Sequence, residues 1–182
     1  MKKISFGDLL AVLANIGVLI GILLLVYELQ QAREFARIEY LATNRSAFLE
    51  IERQMTDPDV AAIWAKSVVK PETLTYAEIR VMDAYLIGIY NYWQQLWVLS
   101  KDGLFDAAEL EKDLVVDAPY YFGSNFARIW WEDLKSIHVK EDVKKFDALI
   151  DKSLANADPS DNRKYLERIS RQIQGRAAGK PE

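Results

Sequence analysis

The hydrophobic positions of the chain follow two patterns, one unbroken and one periodic. Residues 9–27 form a run of 19 without a charged side chain, in which Asn15 is the only strongly polar residue. At about 1.5 Å per residue, a helix over this run is roughly 28 Å long, close to the hydrocarbon thickness of a bilayer. A core helix of a soluble protein would show a polar stripe, and this run has none. The pattern therefore predicts a transmembrane helix.

The same run is a poor match to a cleaved secretion signal. Lys2 and Lys3 resemble the basic start of such a signal. The apolar run is longer than a typical signal core, however, and no small-residue cleavage site follows Tyr27. We therefore favour an uncleaved single-pass anchor over a signal peptide or a buried helix. Basic residues on the two sides of the run are nearly balanced and favour a cytoplasmic C-terminal domain.

Small residues cluster on one side of the predicted transmembrane helix. At roughly 100° per residue they fall within an arc of about 120°, and they are Gly7, Ala11, Ala14, Gly17 and Gly21. Three of them repeat every seven residues, and Glu28 continues that series. Small side chains let another helix approach closely, so this arc is a candidate helix-contact face, although glycine and alanine are also common in membrane helices generally. Asn15 lies off the arc, and its polar side chain indicates a partner helix or access to water.

Beyond the apolar run, the pattern is that of a helical bundle. No glycine or proline occurs between Tyr27 and Met55, so we expect the membrane helix to continue into a juxtamembrane helix. Start and stop signals divide the rest into shorter helices. The predicted starts are Asp57-Pro58, Thr75 with Glu78, Asp106 and Ser124, and the predicted ends are Gly103, Ala118-Pro119 and Asp158-Pro159. No strand-length alternation is present, so the predicted fold is all-α.

The predicted helix over residues 76–100 is rich in aromatic residues and poor in charge. No charged side chain lies between Asp83 and Lys101, but three amide side chains make the segment too polar for a second membrane span. A helix buried on most sides of a bundle fits better. Its aromatic residues favour a packed core, and the alternative is a pocket for a lipid or other apolar small molecule. Such a pocket would involve Asp83, Tyr90, Asn91, Trp93 and Trp97.

The C-terminal segment differs in charge from the body of the chain. Residues 159–182 carry a net charge of +3 and residues 1–30 are neutral, so the total of −4 leaves −7 for residues 31–158. An acidic body argues against a nucleic-acid partner. The predicted helix over residues 161–174 is amphipathic and basic, and we expect it to rest on anionic lipid if the domain is cytoplasmic. The residues in question are Arg163, Lys164, Arg168 and Arg171.

Residue types that support catalysis or metal binding are scarce. The chain has no cysteine and one histidine, His138, which excludes cysteine-based zinc sites and histidine-rich metal centres. Motifs of di-iron bundles, zinc proteases, phosphate-binding loops and serine hydrolases are also absent. A carboxylate-pair hydrolase stays open, but nothing selects one pair. We therefore expect no enzyme activity, no metal and no cofactor, and interpret His138 as a structural or solvent-facing residue.

Four stretches of the chain resemble a broad group of uncharacterised bacterial single-pass membrane proteins with a C-terminal helical domain. The stretches are VYELQQAREFARIEY, DPDVAAIWAKSV, LSKDGLFDAAELEKDL and FARIWWEDLKSIHVKEDVKKFDALID. The resemblance covers about residues 9–155. It implies a membrane helix and a helical domain at the bacterial inner membrane, and it implies no activity.

The favoured function is a membrane-anchored interaction or accessory protein that self-associates or docks on a membrane partner complex. This expectation rests on the small-residue face and on the long helix that follows it. The alternative is an aromatic-lined helical module that binds a lipid or other apolar small molecule. In either case we expect an anchor over residues 1–29, a bundle over residues 30–158, and a basic helix with a flexible tail over residues 159–182.

Overall fold

A computed structural model describes residues 6–177, and that part of the chain consists of helices joined by turns, without a strand. The prediction of an all-α fold is confirmed. The helices are α1 Phe6–Gln54, α2 Pro58–Val69, α3 Tyr76–Lys101, α4 Ala107–Phe122, α5 Asn125–Ser136, α6 Glu141–Leu154 and α7 Asp161–Ala177, with a short 3-10 helix at Pro71–Thr73.

The chain divides into two compact units, residues 1–43 and residues 44–182. In its described part, the first unit is helical from Phe6 onward. The second unit contains the C-terminal end of α1 and the helices α2 to α7. The predicted domain boundaries after residues 29 and 158 were placed where the composition of the sequence changes. The division after residue 43 lies where contacts between residues of the folded chain are few.

Polar side chains begin the bundle helices where the sequence predicts them. The Asp57 carboxylate accepts a hydrogen bond from the Asp59 amide at 2.8 Å, and Asp106 accepts one from Ala108 at 2.9 Å. The Ser124 hydroxyl accepts from the Ala127 amide in the same way. Each contact satisfies an amide that the first turn of a helix leaves unpaired.

Helix α3 packs against α2 and α4 and contributes more buried side chains to the second unit than any other helix, which agrees with the prediction that it is a buried helix of the bundle. Eight of its side chains are buried, and they recur at spacings of three and four residues: Met82, Tyr85, Leu86, Ile89, Tyr90, Trp93, Leu96 and Leu99. The helix ends before Gly103, which has a φ of 68° and supplies the left-handed conformation of the turn into α4. The amide side chains that argue against a membrane span belong to this bundle helix.

The prediction that Ala118-Pro119 ends a helix is wrong, because α4 continues through Pro119 to Phe122. Proline removes one backbone hydrogen bond and normally costs about 3 kcal/mol inside a helix. Continuation buries Tyr121 and Phe122, which are 9% and 0% exposed, and this burial offsets the loss. The helix stops one residue later, where a Cβ at Gly123 would overlap the Pro119 carbonyl oxygen.

The C-terminal helix is longer than the sequence predicts. The sequence predicts that this helix ends at Gln174, whereas α7 ends at Ala177. The first part of the expected flexible tail is therefore helical, and residues 178–182 lie outside the described part of the chain. Gly175 is accommodated within α7, since a Cβ there would meet nothing within 4 Å.

The start of α3 carries a capping box that is reinforced by a lysine of α2. The Thr75 amide donates to the Glu78 carboxylate at 2.7 Å, and the Thr75 hydroxyl accepts from the Glu78 amide. Lys66 donates to both Glu78 oxygens, at 2.9 and 2.7 Å. The hydrogen bond from Lys66, followed by those from Thr75, lowers the pKa of Glu78 to about 2.

This lowered pKa predicts an acid-sensitive contribution to stability. The carboxylate stabilises the fold fully above its ordinary pKa of 4.5, and this contribution disappears as the pH falls towards 2. We expect wild type to be more stable than Glu78→Gln at neutral pH, with a difference that shrinks progressively between pH 4.5 and 2. Urea unfolding followed by tryptophan fluorescence measures it. Glu72→Gln, an exposed control, should keep the wild-type pH dependence, and a pH-independent gap for Glu78→Gln would contradict the assignment.

Candidate functional site

The apolar segment of α1 presents its large side chains outward on every side. Between residues 13 and 29 each large apolar side chain is 46–63% exposed. Among the described residues, α1 is the one helix that is long and apolar enough to cross a membrane. The segment therefore has the length and the uncovered apolar surface of a membrane-spanning helix.

The predicted helix-contact face lies open along this segment. A Cβ placed on Gly17 or Gly21 would meet nothing within 4 Å, and Gly7 and Ala14 are also exposed. Asn15 is exposed on the same helix, and the Ala11 side chain lies outside the described part. The backbone at Gly17 and Gly21 is thus accessible to a second helix, and the contact itself stays a prediction.

The residues predicted to line a pocket in the bundle have different environments. Tyr90 and Trp93 are 2% and 0% exposed and pack against other rings, and Trp97 stacks on Phe146. Asn91 is exposed. Asp83 accepts a hydrogen bond from the Trp130 indole at 2.9 Å and pairs with Arg80. The structure therefore places two of the five in the closed aromatic core and joins Asp83 to α5.

A buried polar cluster connects α3, α6 and the turn between α5 and α6. Asp147 is 5% exposed, and its Oδ2 lies 2.8 Å from His138 Nδ1. The Tyr90 hydroxyl donates to the other carboxylate oxygen at 3.4 Å and accepts from Gln94 at 3.2 Å. Burial, followed by the charge of Asp147, raises the pKa of Tyr90, so the phenol stays protonated and donates. His138 therefore has a partner within the protein, and this contact joins the turn after α5 to α6.

Asp147 was not predicted as the partner of His138. The spacing of apolar residues around Asp147 could have indicated that its side chain is buried. Asp147 follows Val143 by four residues and precedes Ile150 by three. Those spacings place the carboxylate on the buried face of α6, next to Phe146. A charged residue at such a position requires a partner, and the single histidine was available nine residues earlier.

A second polar cluster holds the C-terminal end of α1 against the bundle. The Glu52 carboxylate accepts hydrogen bonds from the Tyr85 and Tyr121 hydroxyls at 2.8 and 3.1 Å. Burial raises the pKa of both phenols, and the hydrogen bond to Glu52 and the Glu52 charge raise it further. One turn earlier, Phe48 packs on the Tyr92 ring with centroids 4.5 Å apart. These contacts join the C-terminal end of α1 to α3 and α4.

The basic residues predicted to contact lipid are engaged locally along α7. Arg163 pairs with Glu167 at 2.9 Å and Lys164 pairs with Asp158 at 2.5 Å. Arg168 lies over the Tyr165 ring, and Arg171 donates to a backbone carbonyl one turn back. All four are exposed, so these contacts leave them accessible, and lipid binding stays a prediction.

Two further features of the described residues bear on metal or ligand binding. Within residues 6–177 no group of three histidine, aspartate or glutamate side chains is arranged to hold a metal ion. A surface groove of about 560 Å³ lies between α4 and α6, and its lining combines apolar residues such as Leu114 and Leu149 with charged residues such as Lys112 and Lys152. None of the predicted pocket residues belongs to this groove.

Comparison of the chain with models of protein families, with curated proteins and with solved structures finds no match.

Proposed function

We propose that this protein is a membrane-anchored interaction or accessory protein that self-associates or docks on a membrane partner. The observation that carries the proposal is the apolar segment of α1, whose large side chains are 46–63% exposed and whose glycines are open to a second helix. A bilayer would cover the apolar side chains, and a helix partner would cover the open backbone. The bundle then serves as the part that the anchor holds at the membrane.

The proposal extends to the location of the protein. The resemblance to bacterial single-pass proteins supports a bacterial inner membrane. The basic residues that follow the apolar run, at positions 33, 37 and 45, support a cytoplasmic bundle.

Enlarging Gly17 and Gly21 tests the association directly. In mild detergent or in nanodiscs, the mass of the wild-type chain should be a multiple of 20.9 kDa or include a stoichiometric partner. Gly17→Leu/Gly21→Leu should shift the mass towards 20.9 kDa, because the added side chains keep the helices apart. Light scattering coupled to size exclusion measures both.

A matched control adds bulk to the opposite side of the same helix. Leu19→Phe/Leu23→Phe enlarges two residues that lie about 140° and about 180° from the centre of the small-residue arc, at roughly 100° per residue. This variant should keep the wild-type mass. A wild-type chain that is strictly monomeric, with no stoichiometric companion, would refute the proposal.

The alternative, a module that binds an apolar small molecule, has less support. The aromatic residues on which it depends are in contact with one another, and Tyr90 packs against both Trp131 and Phe146. An apolar ligand would have to displace these rings or bind elsewhere, such as the α4–α6 groove. Native mass spectrometry of the purified chain would reveal a retained ligand.

A further inference from the structure

Basic side chains form a stripe along the outer side of α7. Lys164, Arg168 and Arg171 follow one another at spacings of four and three residues, which places them within an arc of about 60° at roughly 100° per residue. The half-buried side chains of Leu166 and Ile169 lie on the opposite side of the helix. All three basic side chains are exposed, so they face away from the bundle. We call them the basic stripe of α7.

Two members of the basic stripe form no ion pair with a carboxylate of the described residues. The Arg168 guanidinium lies over an aromatic ring, 5.7 Å from its centroid, and the Arg171 side chain donates to a backbone carbonyl at 3.2 Å. Lys164 differs, because it pairs with Asp158 at 2.5 Å. Arg168 and Arg171 are therefore the residues of the stripe whose positive charge is available to a partner.

Arg163, the fourth basic residue predicted to contact lipid, does not belong to the basic stripe. It lies about 80° away from the nearest member at roughly 100° per residue. Its guanidinium pairs with the Glu167 carboxylate at 2.9 Å, on the flank of the helix. The candidate contact is thus narrower than the sequence predicts.

We propose that the basic stripe of α7 binds the phosphate groups of anionic phospholipids at a membrane surface. A guanidinium group presents paired donors that fit the oxygens of a phosphate. Helix α7 contains five basic and two acidic residues, a net charge of +3, which leaves −7 for the rest of the chain. An anionic surface attracts α7 and repels the acidic remainder, so charge complementarity selects this side of the bundle for lipid.

The membrane anchor makes lipid the anionic partner with the highest local concentration, and the inference rests on the proposed function to this extent. A tethered helix meets the headgroups as part of the same assembly, so even a weak contact is populated. Tyr165 lies at the edge of the stripe and is 44% exposed, and tyrosine rings favour the headgroup layer. The stripe itself contains no large apolar side chain, so the attraction is electrostatic and should weaken as salt rises.

A fluorescent label on α7 tests the contact, since the chain contains no native cysteine. Gly175→Cys places a thiol one turn after Arg171, where an added side chain meets nothing within 4 Å. The full chain, labelled there with an environment-sensitive dye, is reconstituted in nanodiscs of phosphatidylcholine or of equal parts phosphatidylcholine and phosphatidylglycerol. The emission should shift to the blue only in the anionic nanodiscs, and added salt should reduce the shift.

Three results of this measurement would overturn the lipid contact. An equal shift in both kinds of nanodisc would indicate a protein surface or uncharged lipid. No shift in either kind would mean that α7 stays in water. A shift caused by glycerol phosphate in phosphatidylcholine nanodiscs would assign the stripe to a soluble phosphate compound.

Removing the two available charges provides an independent measurement. Arg168→Gln/Arg171→Gln in the labelled chain should lower the ratio of bound to free α7 about tenfold or more, because each basic residue near an anionic surface contributes about fivefold. Lys144→Gln/Lys145→Gln removes two exposed charges from α6 and should leave the ratio within about twofold. All four side chains are exposed, so urea unfolding should be unchanged. Equal losses for the two variants would reject the stripe, because only net charge would then matter.

The label and the mass of the chain separate this inference from the proposed function. An oligomer whose label does not respond to anionic lipid overturns the contact of α7 and leaves the proposed function standing. A strict monomer whose label shifts only in anionic nanodiscs overturns the association and leaves the lipid contact standing. A chain that does not insert into nanodiscs overturns both.

Discussion

Replacing Trp93 by alanine should lower the free energy of unfolding of the bundle by about 3–5 kcal/mol. The indole is 0% exposed and lies between the rings of Tyr121 and Phe122, with centroids 6.0 and 5.0 Å away. Alanine would leave a cavity at the junction of α3 and α4 that the surrounding aromatic rings can fill only in part. Urea unfolding in mild detergent measures the loss. The remaining tryptophans report only the second unit, since they lie at positions 64, 97, 130 and 131.

A phenylalanine at the same position separates packing from hydrogen bonding. Trp93 Nε1 is buried and has no hydrogen-bond partner in the described part of the chain. Trp93→Phe therefore removes an unpaired donor that costs about 1–3 kcal/mol, while it also loses part of the ring. We expect a net change below about 1.5 kcal/mol. Val116→Ala, at a position that is 69% exposed, is the surface control. Equal losses for the alanine and phenylalanine variants would contradict the packing argument.

Much of the bundle could be predicted because its helices carry local signals. The capping box at Thr75 and Glu78 depends on side chains three residues apart, and Gly103 supplies its turn by its own conformational freedom. The burial of α3 follows from a charge-free stretch whose amides are incompatible with lipid. Such features depend on nearest neighbours, and the sequence displays them directly.

Pro119 shows where local signals fail. Its intrinsic preference ends a helix, but the burial of Tyr121 and Phe122 depends on contacts with residues of other helices. Phe122 alone packs against Trp93, Trp130 and Trp131, whose positions only the folded chain reveals. Tertiary packing thus overrides a local preference of about 3 kcal/mol.

The buried Asp147–His138 pair was hidden for a related reason. The histidine was visible as the only one in the chain, whereas its partner is one of 27 acidic residues. The choice among them depends on how the turn after α5 folds back onto α6, which brings the two side chains to 2.8 Å. For the apolar segment of α1 the sequence predicts a helix from composition alone, because contact with lipid requires length and hydrophobicity and no particular fold.

Replacing Asp147 by alanine should lower the free energy of unfolding by about 3 kcal/mol. The substitution leaves the Tyr90 hydroxyl and the His138 Nδ1 atom without their common acceptor inside a bundle where Tyr90 is 2% exposed. Asp147→Asn keeps the shape and one acceptor oxygen, so it should cost about half as much. Asp133→Ala removes an exposed carboxylate from α5 and should change stability by less than about 0.5 kcal/mol.

A double-mutant cycle then assigns the loss to the pair. If His138 and Asp147 stabilise each other, the cost of Asp147→Ala should be smaller in a His138→Ala background, with a coupling of about 1–3 kcal/mol. Urea unfolding by tryptophan fluorescence measures all four chains at one pH. Additive losses would mean that the carboxylate acts through Tyr90 alone. The mass of the single variants is a second measurement. If it equals the wild-type mass, this cluster stabilises the bundle and is not part of the association surface. The cycle thus distinguishes a residue that stabilises the domain from those of α1 through which the protein is proposed to act.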